Sequence, residues 1–74
     1  MDKVTIYSRD GCVWCDMAAA LCKEKGADYI VLKLGVDYEI EDFTSHFPYA
    51  KTVPQIYLNE KHIGGYEDLV NNFV

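Results

Sequence analysis

The stretch Cys12-Val13-Trp14-Cys15 constrains this chain more than any other. It follows a short β-branched run, Val4-Thr5-Ile6-Tyr7, and opens a segment whose spacing predicts a helix from Cys12 to about Lys25. A helix N-terminus presents unpaired backbone N–H groups and the positive end of the helix dipole, and both favour an anion. A thiolate is such an anion, so Cys12 is expected to be acidified and nucleophilic. Cys15, one turn deeper, falls within disulfide reach of it. The pattern predicts a redox dithiol: Cys12 is the exposed attacking thiol and Cys15 the inward resolving thiol that releases the mixed disulfide. Half of a zinc knuckle has the same spacing. Structural zinc wants a second close pair of ligands, however, and Cys22, His46 and His62 do not supply one, so no metal is expected.

The bulk numbers narrow the class. Seventy-four residues make one small domain, 1–74, whose hydrophobic core supplies only about 3–5 kcal/mol. Twelve acidic against seven basic residues give a net charge of −5, which argues against nucleic acid or an anionic membrane as partner. No apolar run approaches the roughly 18 residues of a membrane span. The N-terminus passes directly into a strand pattern without a signal-peptide core, which leads to the expectation of a cytoplasmic protein. In that compartment disulfides are catalytic and transient. Three cysteines, an odd number, do not make a structural disulfide framework. An anionic ligand must then be held by local features: helix N-termini, Arg9 and Lys51.

Along the chain, Trp14, Met17, Ala18, Leu21 and Cys22 recur at helical spacing and predict one apolar face, with Gly26 as the stop. Tyr29-Ile30-Val31-Leu32 is nearly continuous in apolar residues, as in a strand covered on both faces. Strand, helix and strand make a βαβ unit with a parallel pair. Ile40, Phe43 and Phe47 predict a second amphipathic helix over about 39–47, ended by Pro48. Residues 55–58 and 61–63 form a hairpin through Asn59-Glu60, and 66–73 close the chain as a helix anchored by Leu69, Val70 and Phe73. The expected fold is α/β, β-α-β-α-β-β-α, with a four-stranded mixed sheet flanked by three helices. Cys22 reads as a small buried hydrophobe, His46 and His62 as surface residues.

Three stretches together carry a family resemblance: Cys12-Val13-Trp14-Cys15, Thr52-Val53-Pro54, and Gly64-Gly65-Tyr66-Glu67-Asp68-Leu69. With them the chain resembles a small dithiol glutaredoxin of the thioredoxin superfamily, of bacterial or bacteriophage type, along essentially its whole length. The resemblance implies the thioredoxin fold, a cis Val53–Pro54 bond beside the cysteines, and a glutathione site. That site would comprise Arg9, Trp14, Lys51, Thr52, Val53, Pro54, Gly65, Tyr66 and Glu67. Val53 would pair through its backbone with the cysteinyl part of glutathione. The turn at Gly65–Glu67 would hold the γ-glutamyl carboxylate, and Arg9 and Lys51 would lie near the glycine carboxylate. Asp68 serves equally well as a plain first-turn residue facing the helix dipole. The chain departs from the family where Val13-Trp14 replaces the usual Pro-Tyr. Val13 restores an N–H that proline lacks, a candidate donor to the thiolate.

The implied activity is glutathione-dependent reduction of protein disulfides and glutathione mixed disulfides by a monomer, with ribonucleotide reductase among the implied partners. Two other readings stay open: a redoxin reduced by thioredoxin reductase, and a carrier of a glutathione-ligated [2Fe–2S] cluster.

Overall fold

The computed structural model describes residues 2–48 and 53–73. The elements follow the expected order: β1 (Lys3–Ser8), α1 (Val13–Lys25), β2 (Asp28–Lys33), α2 (Ile40–His46), β3 (Gln55–Leu58), β4 (Lys61–Gly64) and α3 (Tyr66–Asn72). The sheet order is β2-β1-β3-β4. β1 runs parallel to β2 and antiparallel to β3, and β3 and β4 form the hairpin. Its turn places Asn59 and Glu60 at φ of 51° and 70°. The left-handed region suits the asparagine, whose side chain is tied back by the Lys3 N–H at 2.9 Å.

Period-two alternation along β1 sorts side chains to two faces. Val4 and Ile6 pair with Leu58 and Ile56 and face α1 and α3. There they bury with Ala18, Cys22 and Leu69 in the main core. Tyr7, opposite Gln55 and Leu32, faces the other way into a second, aromatic cluster built by Tyr38, Phe43 and Phe47 around α2. Tyr38 donates its hydroxyl to the Ser8 carbonyl at 2.7 Å. Burial, and then the neighbouring Tyr7, push the Tyr38 phenol above its ordinary range. His46 and His62 are exposed as expected, yet both rings lie against Phe47, at 6.1 and 4.8 Å between centroids.

Three packing expectations fail. β2 is not covered on both faces. It is the edge strand, and α2, seven residues long, covers the Tyr7–Leu32 end of its face but leaves Ile30 56% exposed. Tyr29 and Val31, on the α1 face, are exposed as well. On α1 the buried stripe is Cys15, Ala18 and Cys22, while Trp14 and Met17 point to solvent. The small Ala18 and Cys22 let the helix lie close on the sheet, and that close seating turns the bulky neighbours outward. In α2, Phe43 and Phe47 are buried but Ile40 is exposed.

Candidate active site

Gly11, at φ +73°, turns the chain out of the β1 loop into the first residues of α1. Cys12 is the N-cap of that helix, in extended conformation (φ −94°, ψ 101°). N-cap positions usually hold a side-chain oxygen that accepts the N–H of the third helical residue. Here the acceptor is sulfur: the Cys15 N–H reaches Cys12 Sγ at 3.1 Å. The recorded donor is therefore Cys15 and not Val13. A thiolate at this position makes the cap charge-assisted, which stabilises the ionised form beyond the dipole alone.

Cys12 and Cys15 form a disulfide, with Cα atoms 5.3 Å apart. Cys12 is the more accessible of the two, but only 9% exposed against 3% for Cys15. An incoming disulfide must therefore approach along a defined path. Cys22 is a free buried thiol on the same helical stripe, and burial pushes its pKa up, which disfavours its thiolate.

The Val53–Pro54 peptide is cis, as the resemblance implies. The Val53 side chain packs against the aromatic cluster, and its carbonyl oxygen lies 3.8 Å from Cys12 Sγ. That oxygen is an acceptor for the Cys12 thiol, whereas the Cys15 N–H is a donor for the thiolate. The Cys12 sulfur thus sits between groups favouring opposite protonation states.

Beside it lies a hollow of about 330 Å³ whose walls include Trp14, Val53, Pro54, Gly65, Tyr66 and Glu67. Trp14 leans on Tyr66 with ring centroids 5.5 Å apart. Gly65 is the N-cap of α3, and its N–H donates to Asp68 Oδ2 at 3.0 Å. Two lining residues were absent from the sequence-based site. Asp68, read there as a dipole residue, both caps α3 and lines the hollow. Gln55 also lines it, and its Oε1 lies 2.8 Å from Nε2 of His62, seven residues on. The signal available for Gln55 was its place directly after Pro54. Arg9 is exposed and does not line the hollow; Lys51 and Thr52 lie outside the described residues. Tyr7 packs its ring between Tyr38, Phe47 and Tyr57.

An N-cap dithiol beside a cis-proline loop is shared by many redox proteins, so the comparison with known sequences decides the family. The family model described as Glutaredoxin matches residues 4–63. The chain belongs to the glutaredoxin family. Glutaredoxin 3 of Escherichia coli K12 is 33% identical over 69 residues, covering 93% of this chain and 83% of that protein. The hybrid peroxiredoxin hyPrx5 of Haemophilus influenzae is 33% identical over 72 residues; the match covers 97% of this chain but only 30% of hyPrx5. Among solved structures, glutaredoxin 1 from Francisella tularensis, crystallised with cacodylate, superposes with a TM-score of 0.80 at 30% identity. That alignment covers 97% of this chain and 92% of the other. Membership in this family, together with the Cys12–Cys15 pair, makes the chain a thiol–disulfide oxidoreductase. Among the described residues no group of His, Cys, Asp or Glu is arranged to hold a metal, and no helix is long and apolar enough to cross a membrane.

Proposed function

We propose that this glutaredoxin reduces protein disulfides and glutathione mixed disulfides at the expense of glutathione. The observation that carries the reading is the junction of the N-cap sulfur with the hollow, made by Val53: its carbonyl faces Cys12 Sγ and its residue forms part of the hollow wall. About 330 Å³ lies within the roughly 300–1,000 Å³ of small-molecule sites, enough for a tripeptide. The backbone of Val53 suits the cysteinyl unit, and the turn at Gly65–Glu67 suits the γ-glutamyl end. Arg9 and Lys51 supply positive charge for the glycine carboxylate.

In the reaction the Cys12 thiolate attacks one sulfur of the substrate disulfide, and the other sulfur leaves as a thiolate. Cys15 then attacks Cys12 Sγ, releasing the second thiol and closing the Cys12–Cys15 disulfide. One glutathione opens that disulfide and a second releases the first as glutathione disulfide, so two electrons enter. For glutathione mixed disulfides Cys12 alone suffices. We further propose a monomeric, cytoplasmic protein whose partners include ribonucleotide reductase, which consumes a dithiol at each turnover.

The test is a glutathione-coupled assay on two substrates. Cys12→Ser is expected to abolish turnover of both. Cys15→Ser keeps turnover of a glutathionylated substrate and loses reduction of a protein disulfide. Activity with thioredoxin reductase and none with glutathione would overturn the proposal.

A further inference from the structure

Helix α1 carries two apolar stripes. Cys15, Ala18 and Cys22 make one, buried on the sheet. Trp14, Met17 and Leu21, spaced i, i+3, i+7, make the other, in which Trp14 and Met17 are exposed. The second stripe does not end at the active site. A second hollow of about 180 Å³ is lined by Met17, Ala20, Leu21, Glu24 and Tyr66. Tyr66 also lines the hollow beside the dithiol, and its ring stands against Trp14. The two hollows therefore meet at Tyr66, against which Trp14 stands, and follow one another along α1, away from Cys12.

The charged residues described along the walls of this path are acidic. Glu67 and Asp68 border the first hollow and Glu24 the second; among the described residues no Lys or Arg lines either. Asp68 is engaged with the Gly65 N–H, whereas Glu24 and Glu67 are exposed carboxylates. A surface that is apolar along its floor and acidic at its edges complements an extended polypeptide carrying apolar and basic side chains.

From these observations we infer that the path from the dithiol over the Trp14–Tyr66 ridge to Glu24 is a docking groove for the polypeptide of a protein-disulfide substrate, selecting apolar and basic residues near the reacting cysteine. The inference rests on the thiol–disulfide reading above and adds which side chains are selected beside the reacting cysteine. Helical rise separates Cys12 from Leu21 by about 14 Å and from Glu24 by about 18 Å. An extended chain advances about 3.3 Å per residue, so the apolar side chain stands about four residues, and the basic one about five to six, from the cysteine bound to Cys12. The electron balance is that of the dithiol route: the substrate disulfide breaks, the Cys12–substrate bond forms, and Cys15 displaces the substrate as a thiol.

The test uses short peptides joined as symmetric disulfides through one cysteine, with leucine at the fourth position from it and arginine, glutamate or glutamine at the sixth. Their kcat/KM is measured beside that of 2-hydroxyethyl disulfide, with glutathione as reductant throughout. The arginine peptide is expected to exceed the glutamate peptide by fivefold or more. Glu24→Lys should bring that ratio near one, and Met17→Ser should lower kcat/KM for all three peptides at least threefold. Both variants should leave the small-disulfide rate unchanged, because both side chains are exposed and lie outside the first hollow. Peptide ratios and rates unchanged in Glu24→Lys and Met17→Ser, with small-disulfide activity intact, would overturn the groove. Loss of small-disulfide turnover with glutathione in the unmodified protein would instead overturn the proposed function.

Discussion

Gly64 is the position where the smallest substitution should do the most damage. It ends β4 at φ +117°, a conformation that L-residues rarely adopt. A Cβ built there meets the Asp68 carboxylate, overlapping Oδ2 and standing 2.9 Å from Cγ. Gly64→Ala therefore has two costs. Backbone strain at such an angle is worth about 1–3 kcal/mol. To clear the methyl group the carboxylate must also swing away from the Gly65 N–H it now accepts at 3.0 Å, and loss of a cap costs about 1 kcal/mol. The sum, about 2–4 kcal/mol, is a large part of the roughly 4–11 kcal/mol expected for a chain of this length. Because the two costs have different origins, a double-mutant cycle separates them. Asp68→Ala alone should cost about 1 kcal/mol. In that background Gly64→Ala should cost only the strain, so the double variant is less destabilised than additivity requires by about 1 kcal/mol, beyond the ~0.3–0.5 kcal/mol scatter of independent sites. Urea unfolding measures this: at about 1 kcal/mol per molar, Gly64→Ala lowers the midpoint by about 2 M or more. Equal cost of Gly64→Ala in both backgrounds would refute the reasoning.

Four further outcomes follow from the same structure. Val13→Pro should be tolerated: Val13 is the first residue of α1, where an N–H has no helical partner, and Cys12 already has the extended backbone a following proline requires. A gain of about 0.4–1 kcal/mol, seen as a Tm rise of a few degrees, is expected, and a fall would show that the Val13 N–H is needed. In the reduced protein iodoacetamide should modify Cys12 and spare Cys22 until the chain unfolds; rapid native-state labelling of Cys22 would contradict its burial. Burial raises the folded pKa of Cys22, so its contribution to stability is complete below the ordinary thiol value of about 8.5 and is lost as pH rises through the folded pKa. In the disulfide form, where Cys22 is the remaining thiol, stability should fall with pH in that alkaline window, and Cys22→Ala should flatten the fall. Tyr38→Phe removes the 2.7 Å bond to the Ser8 carbonyl, which keeps the Leu34 N–H at 2.9 Å, so the loss should stay near 0.5–1.5 kcal/mol by urea unfolding; more than 3 kcal/mol would mean the hydroxyl holds more than this bond.

Much of the fold was legible because it is written locally. The start of α1 at Cys12, its stop at Gly26, the capped helix before Pro48 and the Asn59-Glu60 turn all depend on a few adjacent residues. The dithiol was legible for the same reason: spacing of three on a first turn brings two sulfurs together whatever surrounds them. What failed were statements about coverage. An apolar run such as Tyr29–Leu32 specifies a strand but not its neighbours, and the strand order put β2 at an edge beside a helix too short to cover Ile30. Likewise α1, read from the sequence as one apolar face through Trp14, Met17, Ala18, Leu21 and Cys22, carries two apolar stripes. The sheet took the one with the smaller side chains, Cys15, Ala18 and Cys22, because these permit closer approach, and it left Trp14 and Met17 facing solvent. The sequence by itself therefore determined which sulfur caps the helix. Only the tertiary structure decided what surrounds that sulfur, because Val53, Trp14 and Tyr66 come from three separate segments whose meeting depends on how the helices seat on the two faces of one sheet.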